Sequence, residues 1–180
     1  PANTVWGFGG AISFIGRTNP SSLSVTNSTF TNNIARGVVT DYAAGGAINV
    51  EIPAPTNVPQ TVSITHNRFI GNQAVGTGTT AGQGRGGALG YSGNRQLTFR
   101  YNYLSGNVAP SGGSGVYSRF VTGTAIDATH NWWNCNAGPS SPNCDSAGDA
   151  ASNVTTSPRL VLGFTPNPSS AAFGQQSLLT

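Results

Sequence analysis

Val62-Ser63-Ile64-Thr65 runs through His66-Asn67-Arg68 into Phe69-Ile70-Gly71-Asn72, and the same order of residue types occurs three more times in the chain. Leu23-Ser24-Val25-Thr26 leads to Phe30-Thr31-Asn32-Asn33, Leu97-Thr98-Phe99-Arg100 to Leu104-Ser105-Gly106-Asn107, and Ile126-Asp127-Ala128-Thr129 to Trp133-Asn134-Cys135-Asn136. In every copy the large apolar residue and the Asn keep a three-residue offset. A second marker shares the period. Gly9-Gly10-Ala11-Ile12 returns as Gly45-Gly46-Ala47-Ile48, as Gly86-Gly87-Ala88-Leu89 and, degraded, as Gly113-Ser114-Gly115-Val116, in steps of 36, 41 and 27 residues. Self-similarity at such a spacing is the mark of a repeat architecture.

The alternation of Leu23, Val25, Val62, Ile64, Leu97 and Phe99 with Ser, Thr or Arg is the period of a half-buried strand. A sandwich would need reversed strands and hairpin turns, whereas one strand pattern here returns in one order with variable segments between copies. Stacked parallel coils satisfy that constraint. Composition agrees: 180 residues with 25 Gly, 18 Asn, 19 Ser, 20 Thr, 13 charged side chains and no Lys or Met exclude a helical bundle or coiled coil. With 37% apolar residues and a net charge of +3 the chain is not a disordered one either. Eight Arg, dispersed singly, do not make a nucleic-acid surface, and no apolar run approaches the roughly 18 residues of a membrane span.

In such a stack, equivalent side chains form ladders about 4.8 Å apart. Phe30, Phe69, Leu104 and Trp133 are expected to make an apolar ladder inside. Asn33, Asn72, Asn107 and Asn136 are expected to make a polar one at a corner, taking up left-handed backbone and bonding one another. Ser28, Asn67, Asn102 and Asn131 form a second file, and the paired glycines supply positive φ and close approach. Length variation then falls in loops after the Gly-Gly-Ala strand (16–22 and 51–60) and after the Asn corner (36–44 and 75–85), which are the expected binding elements of an adhesin.

The Gly-Gly-Ala-Ile and Phe-x-x-Asn motifs resemble the polymorphic outer-membrane-protein repeats of bacterial surface proteins, within the right-handed parallel β-helix class that also holds pectate lyases. The resemblance covers about residues 5–140 and implies an all-β, right-handed parallel β-helix, or solenoid, of about four coils in an extracellular or cell-surface protein. The run Asn131-Trp132-Trp133-Asn134-Cys135-Asn136-Ala137-Gly138-Pro139 is similar to the closing turn of many secreted bacterial β-helix proteins, with Asn134 where Gly is commoner. Cys135 and Cys144, with eight residues between them, are expected to form a disulfide that staples this cap, which implies an oxidising compartment. Residues 1–150 are thus expected to be the capped β-helix. Residues 151–180 read as an extended β segment: a linker, the first strand of an immunoglobulin-like domain, or a strand donated to a neighbour.

An enzyme of this class needs clustered carboxylates. The five available, Asp41, Glu51, Asp127, Asp145 and Asp149, do not recur at equivalent positions, so no catalytic residue is assigned and no cofactor or metal is expected. Fold alone does not supply a reaction. The expectation is a non-enzymatic structural protein whose coils stack end to end into a filament or surface layer, with a glycan- or host-binding adhesin stalk and a polysaccharide lyase or hydrolase as alternatives. Its partners would be other copies of itself, adjoining domains of a longer chain, or glycans. The assembly candidates are Val5, Trp6 and Phe8 at one end and Leu160, Leu162, Phe173, Leu178 and Leu179 at the other, where the last strand has no obvious partner.

Overall fold

A computed structural model describes residues 7–17, 19–37, 43–52, 59–76, 84–93, 95–119, 126–149, 153–163, 166–167 and 178–179. All the regular structure among them is strand. The first repeat holds β1 (Gly7–Phe8), β2 (Ile12–Ile15), β3 (Ser21–Thr26), β4 (Thr29–Thr31) and β5 (Ile34–Gly37). The second holds β6 (Ala43–Ala44), β7 (Ile48–Ile52), β8 (Gln60–Thr65), β9 (Arg68–Ile70) and β10 (Gln73–Gly76). The third holds β11 (Gly84–Arg85), β12 (Leu89–Gly93), β13 (Leu97–Arg100) and β14 (Tyr103–Ser105), and the fourth β15 (Val116–Ser118), β16 (Ile126–Asp127) and β17 (Trp132–Trp133). A fifth repeat begins with β18 (Ala147–Asp149) and β19 (Val154–Thr155), so the stacking continues past residue 150, and β20 (Pro166–Asn167) and β21 (Leu178–Leu179) follow.

Each of the first four repeats gives one strand to each of the three larger sheets, and every pairing among the first nineteen strands is parallel. The sheets run β18-β15-β12-β7-β2, β19-β16-β13-β8-β3 and β17-β14-β9-β4, with shorter sheets β1-β6-β11 and β5-β10. The register aligns the motifs residue by residue: Leu23 with Val62, Leu97 and Ile126, and Phe30 with Phe69, Leu104 and Trp133. This arrangement is compatible with a β-helix or solenoid. The last strand differs from expectation, because β21 pairs antiparallel with β20, Leu179 opposite Pro166 and Leu178 opposite Asn167, which engages backbone groups that an isolated strand would leave exposed.

The interior is a set of apolar ladders. Ile48, Leu89 and Val116 lie in one, Val62, Leu97 and Ile126 in another, and Phe69, Leu104 and Trp133 in a third, all essentially removed from solvent. Phe30 and Phe69 stack with ring centroids 5.0 Å apart. Each such side chain contributes about 1.5–3 kcal/mol by burial. The rows are open at their first rung, where Ile12, Phe14 and Leu23 are only partly covered.

The glycine pairs act in two ways. Gly45 (φ 66°) and Gly86 (φ 68°) take the left-handed turn, while a Cβ on Gly46 would collide with the carbonyl of Gly87 in the next repeat. The degraded fourth copy has a packing cause: a Cβ on Gly115, where other repeats carry Ala, would stand 2.7 Å from Leu104 and 2.9 Å from the Trp133 ring. Trp133 fills the space that an alanine methyl occupies elsewhere.

Candidate functional site

Two corners carry polar ladders with a shared grammar. At the first, the backbone N–H of Ser28 donates to Asn67 Oδ1 (3.0 Å), that of Asn67 to Asn102 Oδ1 (2.9 Å), and that of Asn102 to Asn131 Oδ1 (2.7 Å). The amide nitrogens donate back to main-chain carbonyls one repeat earlier, Asn67 to Val25, Asn102 to Ile64 and Asn131 to Phe99. One side chain thereby satisfies a donor and an acceptor that the corner would otherwise bury unpaired. The left-handed residue is the one before each ladder position, namely Asn27, His66, Tyr101 and His130 (φ 50–59°), not the ladder Asn itself.

At the second corner the N–H of Asn33 donates to Asn72 Oδ1 and that of Asn72 to Asn107 Oδ1, at 3.1 and 3.0 Å. The next rung is Asp145, whose Oδ1 accepts the N–H of Asn107 at 2.8 Å. Asn136, expected at this rung, lies outside the ladder and grips the backbone of Leu162, accepting its N–H at 2.7 Å and donating to its carbonyl at 2.8 Å. The cause is local. Asn134 turns left-handed (φ 66°) immediately after Trp133, the chain leaves through a loop closed by the Cys135–Cys144 disulfide, and it returns with the N–H of Asp145 bonded to the carbonyl of Trp133. Asp145 therefore reaches the rung from the far side of the disulfide. It is 2% exposed, and its Oδ2 meets no partner. Burial pushes its carboxyl up to about 6, against the opposing pull of the Asn107 and Gly106 amides.

On the outside of the first corner the left-handed residues form an aromatic file. The rings of His66 and Tyr101, and of Tyr101 and His130, stand 5.1 Å apart, centroid to centroid. Two residues further along each repeat lies a second file, Thr29, Arg68, Tyr103 and Trp132 in register, with the Arg68 guanidinium 5.2 Å over the Tyr103 ring. Tyr101 and Tyr103 are 42% and 38% exposed. Behind them Arg100 is held by several partners: Nε donates to Thr129 Oγ1 (2.8 Å) and lies 3.5 Å from Asp127 Oδ2, Nη2 donates to His130 Nδ1 (3.2 Å), and the guanidinium sits 5.7 Å over Tyr101. Thr129 in turn donates to Asp127 Oδ1 at 2.7 Å. His130 Nδ1 also stands 3.0 Å from Thr129 Oγ1, which ties the imidazole into the same network.

The remaining sequence candidates are dispersed. Glu51 lies on β7 between Ile15 and Ser92 in the register, away from the sheet that holds Asp127. Among the described residues no three His, Cys, Asp or Glu side chains gather as metal ligands. Val5, Trp6, Asp41, Phe173 and most of the loops at 51–60 and 75–85 lie outside the described residues. Where the loop at 16–22 meets Pro59, an open cleft of about 320 Å³ is lined by Pro20, Ser21, Ser22, Pro59 and Thr61. Of the assembly candidates, Phe8 is half-buried on β1, Leu160 and Leu162 are exposed beside exposed Val161, and β21 holds Leu178 and Leu179. The aromatic files escape a motif search because the residue type changes at each rung. Aligning the positions on either side of each ladder Asn exposes them.

The disulfide fits a non-reducing compartment. No described helix is long and apolar enough to cross a membrane. No protein-family model, curated protein or solved structure matches this chain.

Proposed function

We propose that the chain is a right-handed parallel β-helix that works without catalysis as an extracellular structural segment, its coils continuing end to end with those of another copy or of adjoining domains. The observation that carries the reading is the first coil. Among the described strands β2, β3 and β4 have a strand neighbour on one side only, and above that edge Ile12, Phe14 and Leu23 are partly exposed where their counterparts Ile48, Val50 and Val62 are fully buried. A further parallel coil would complete both the hydrogen bonding and the apolar rows. At the far end Leu160, Val161 and Leu162 are exposed by 41, 59 and 63%, apolar surface of the kind that a heterologous, head-to-tail contact covers. A non-catalytic role is supported by the engagement of the carboxylates: Asp127 is tied to Arg100 and Thr129, and Asp145 is enclosed at the ladder.

Electron microscopy and sedimentation velocity over a concentration series test this. Stacking between copies predicts rods that lengthen with concentration, and Phe14→Asp, which charges the open apolar row, returns them to single units. Rods of one unit at every concentration, in the wild type as in the variant, overturn stacking between copies and leave the adhesin-stalk reading, which the exposed aromatic corner favours.

A further inference from the structure

The side chains on the outer face of the first corner have no part in the apolar interior. His66, Tyr101 and His130 occupy left-handed positions where Asn27 suffices in the first repeat, and Arg68, Tyr103 and Trp132 occupy positions where Thr29 suffices. Nothing in the backbone asks for rings there. A corner needs a residue that tolerates positive φ, and Asn meets that need more cheaply than His or Tyr. The two files nevertheless climb the stack together for three repeats, at the strand spacing of about 4.8 Å.

This surface is rich in hydrogen-bond donors, and its hydroxyls also accept. Tyr101 and Tyr103 offer phenolic hydroxyls, Trp132 an indole N–H, His130 an imidazole, and Arg68 a planar fork of N–H groups. The Arg68 guanidinium sits over the Tyr103 ring at 5.2 Å, and no carboxylate of the described residues meets it. Asp127, the acid of this face, is already occupied by Arg100 and Thr129. A guanidinium among neutral polar groups suits a ligand rich in hydroxyls and sparing in charge, because a planar fork pairs bidentately with a carboxylate. A nucleic acid fits less well, since its dense phosphates call for a stripe of cations and this face carries Arg68, Arg100 and no Lys. Hydroxyl-rich chains bearing occasional carboxylates meet both requirements.

We propose that the corner ridge formed by His66, Tyr101, His130, Arg68, Tyr103 and Trp132 is a binding site for a carboxylated polysaccharide, laid along the stack with its carboxylate on Arg68 and its hydroxyls on the neighbouring donors. The site uses the side of the stack, so it stands or falls separately from end-to-end assembly.

The first repeat supplies the test substitutions. Tyr101→Asn copies Asn27 and keeps a residue that accepts positive φ, and Arg68→Thr and Tyr103→Thr copy Thr29. All three positions are exposed. Binding of hyaluronan and alginate oligosaccharides to the whole chain is measured by calorimetry, with dextran and oligothymidylate as controls. We expect both controls to bind at least about tenfold more weakly, Arg68→Thr to lose about tenfold in affinity and the triple variant to lose detectable binding. On the unmodified chain, which needs no variant to fold, titration with the better oligosaccharide is expected to shift the ring resonances of His66 and His130. The proposal is overturned by no binding of either oligosaccharide, by equal binding of dextran or oligothymidylate, by a folded triple variant that binds as well as wild type, or by ring resonances that stay in place.

Discussion

Asp145→Asn should make this protein more stable at neutral pH, although it removes a charge that accepts a short backbone hydrogen bond. Asp145 Oδ1 does what Asn72 and Asn107 Oδ1 do, accepting the backbone N–H of the repeat before it. The difference is at the other atom. Asn72 Nδ2 donates to the carbonyl of Phe30 and Asn107 Nδ2 to that of Phe69, so in register the Asp145 rung should serve Leu104. An ionised Oδ2 cannot donate, and it is buried without a partner. Its carboxyl is raised from 3.8 to about 6. A folded-state value above the unfolded one means that the native protein holds a proton through this window while the unfolded chain does not. The contribution of Asp145 is therefore fullest below about pH 4 and is lost as pH rises to about 6 and beyond. At about 1.4 kcal/mol per unit the loss is about 3 kcal/mol. The substituted amide would carry no charge at any pH and would restore the missing donor. For a chain of this size about 3 kcal/mol corresponds to a Tm roughly 6–12 °C higher at pH 8. The advantage should shrink toward zero at pH 4, where the protonated acid makes the same bond. Thermal melts of both proteins by circular dichroism from pH 4 to 8 decide the matter. An Asn variant no more stable than wild type at pH 8, or an advantage that persists undiminished at pH 4, would refute the reasoning.

Reducing the Cys135–Cys144 bridge, or replacing both residues by Ser, should cost about 2–3 kcal/mol for a loop of this size, read as a lower urea midpoint. Hydrogen exchange of the Asn107 amide should accelerate with it, because the bridge brackets the loop that returns Asp145 to the ladder. Gly115→Ala should destabilise by about 1–3 kcal/mol through its collision with Trp133 and Leu104, and combining it with Trp133→Leu should recover part of that loss. A double-mutant cycle in urea with no coupling between the two sites would show that the packing explanation of the degraded repeat is mistaken. Tyr91→Phe should cost about 1–2 kcal/mol, since the buried Tyr91 hydroxyl accepts the N–H of Arg95 at 3.0 Å and donates to its carbonyl, and its removal should speed hydrogen exchange of the Arg95 amide.

The repeat made most of the architecture readable in advance. Because a parallel stack places like residues above like, one alignment of Leu23, Val62, Leu97 and Ile126 also identifies the strands, their neighbours and the inward face. The Phe30–Trp133 and Ser28–Asn131 files follow from it. Asn136 shows where this stops: spacing counted along the chain holds only while each repeat turns at the same residue, and the fourth turns one residue after Trp133. The candidate ridge was half legible, since His66 and His130 align in the repeat. Tyr101 between them could not be recognised until stacking made three different residue types one surface.

By itself the sequence determined everything that depends on period: parallel strands, an apolar interior, Asn corners, glycine pairs, and two cysteines close enough in the chain to bridge. Tertiary structure decided what depends on where the chain departs from its period and comes back. It placed Asp145 rather than Asn136 beneath Asn107, closed β21 onto β20, and gathered Arg68, Tyr101, Tyr103 and His130 on one corner. The physical reason is that periodic positions are set by local backbone geometry repeated at each rung. A loop's return point, and the neighbours of a side chain across rungs, are set by packing among residues 29 to 42 apart in sequence, which no local pattern encodes.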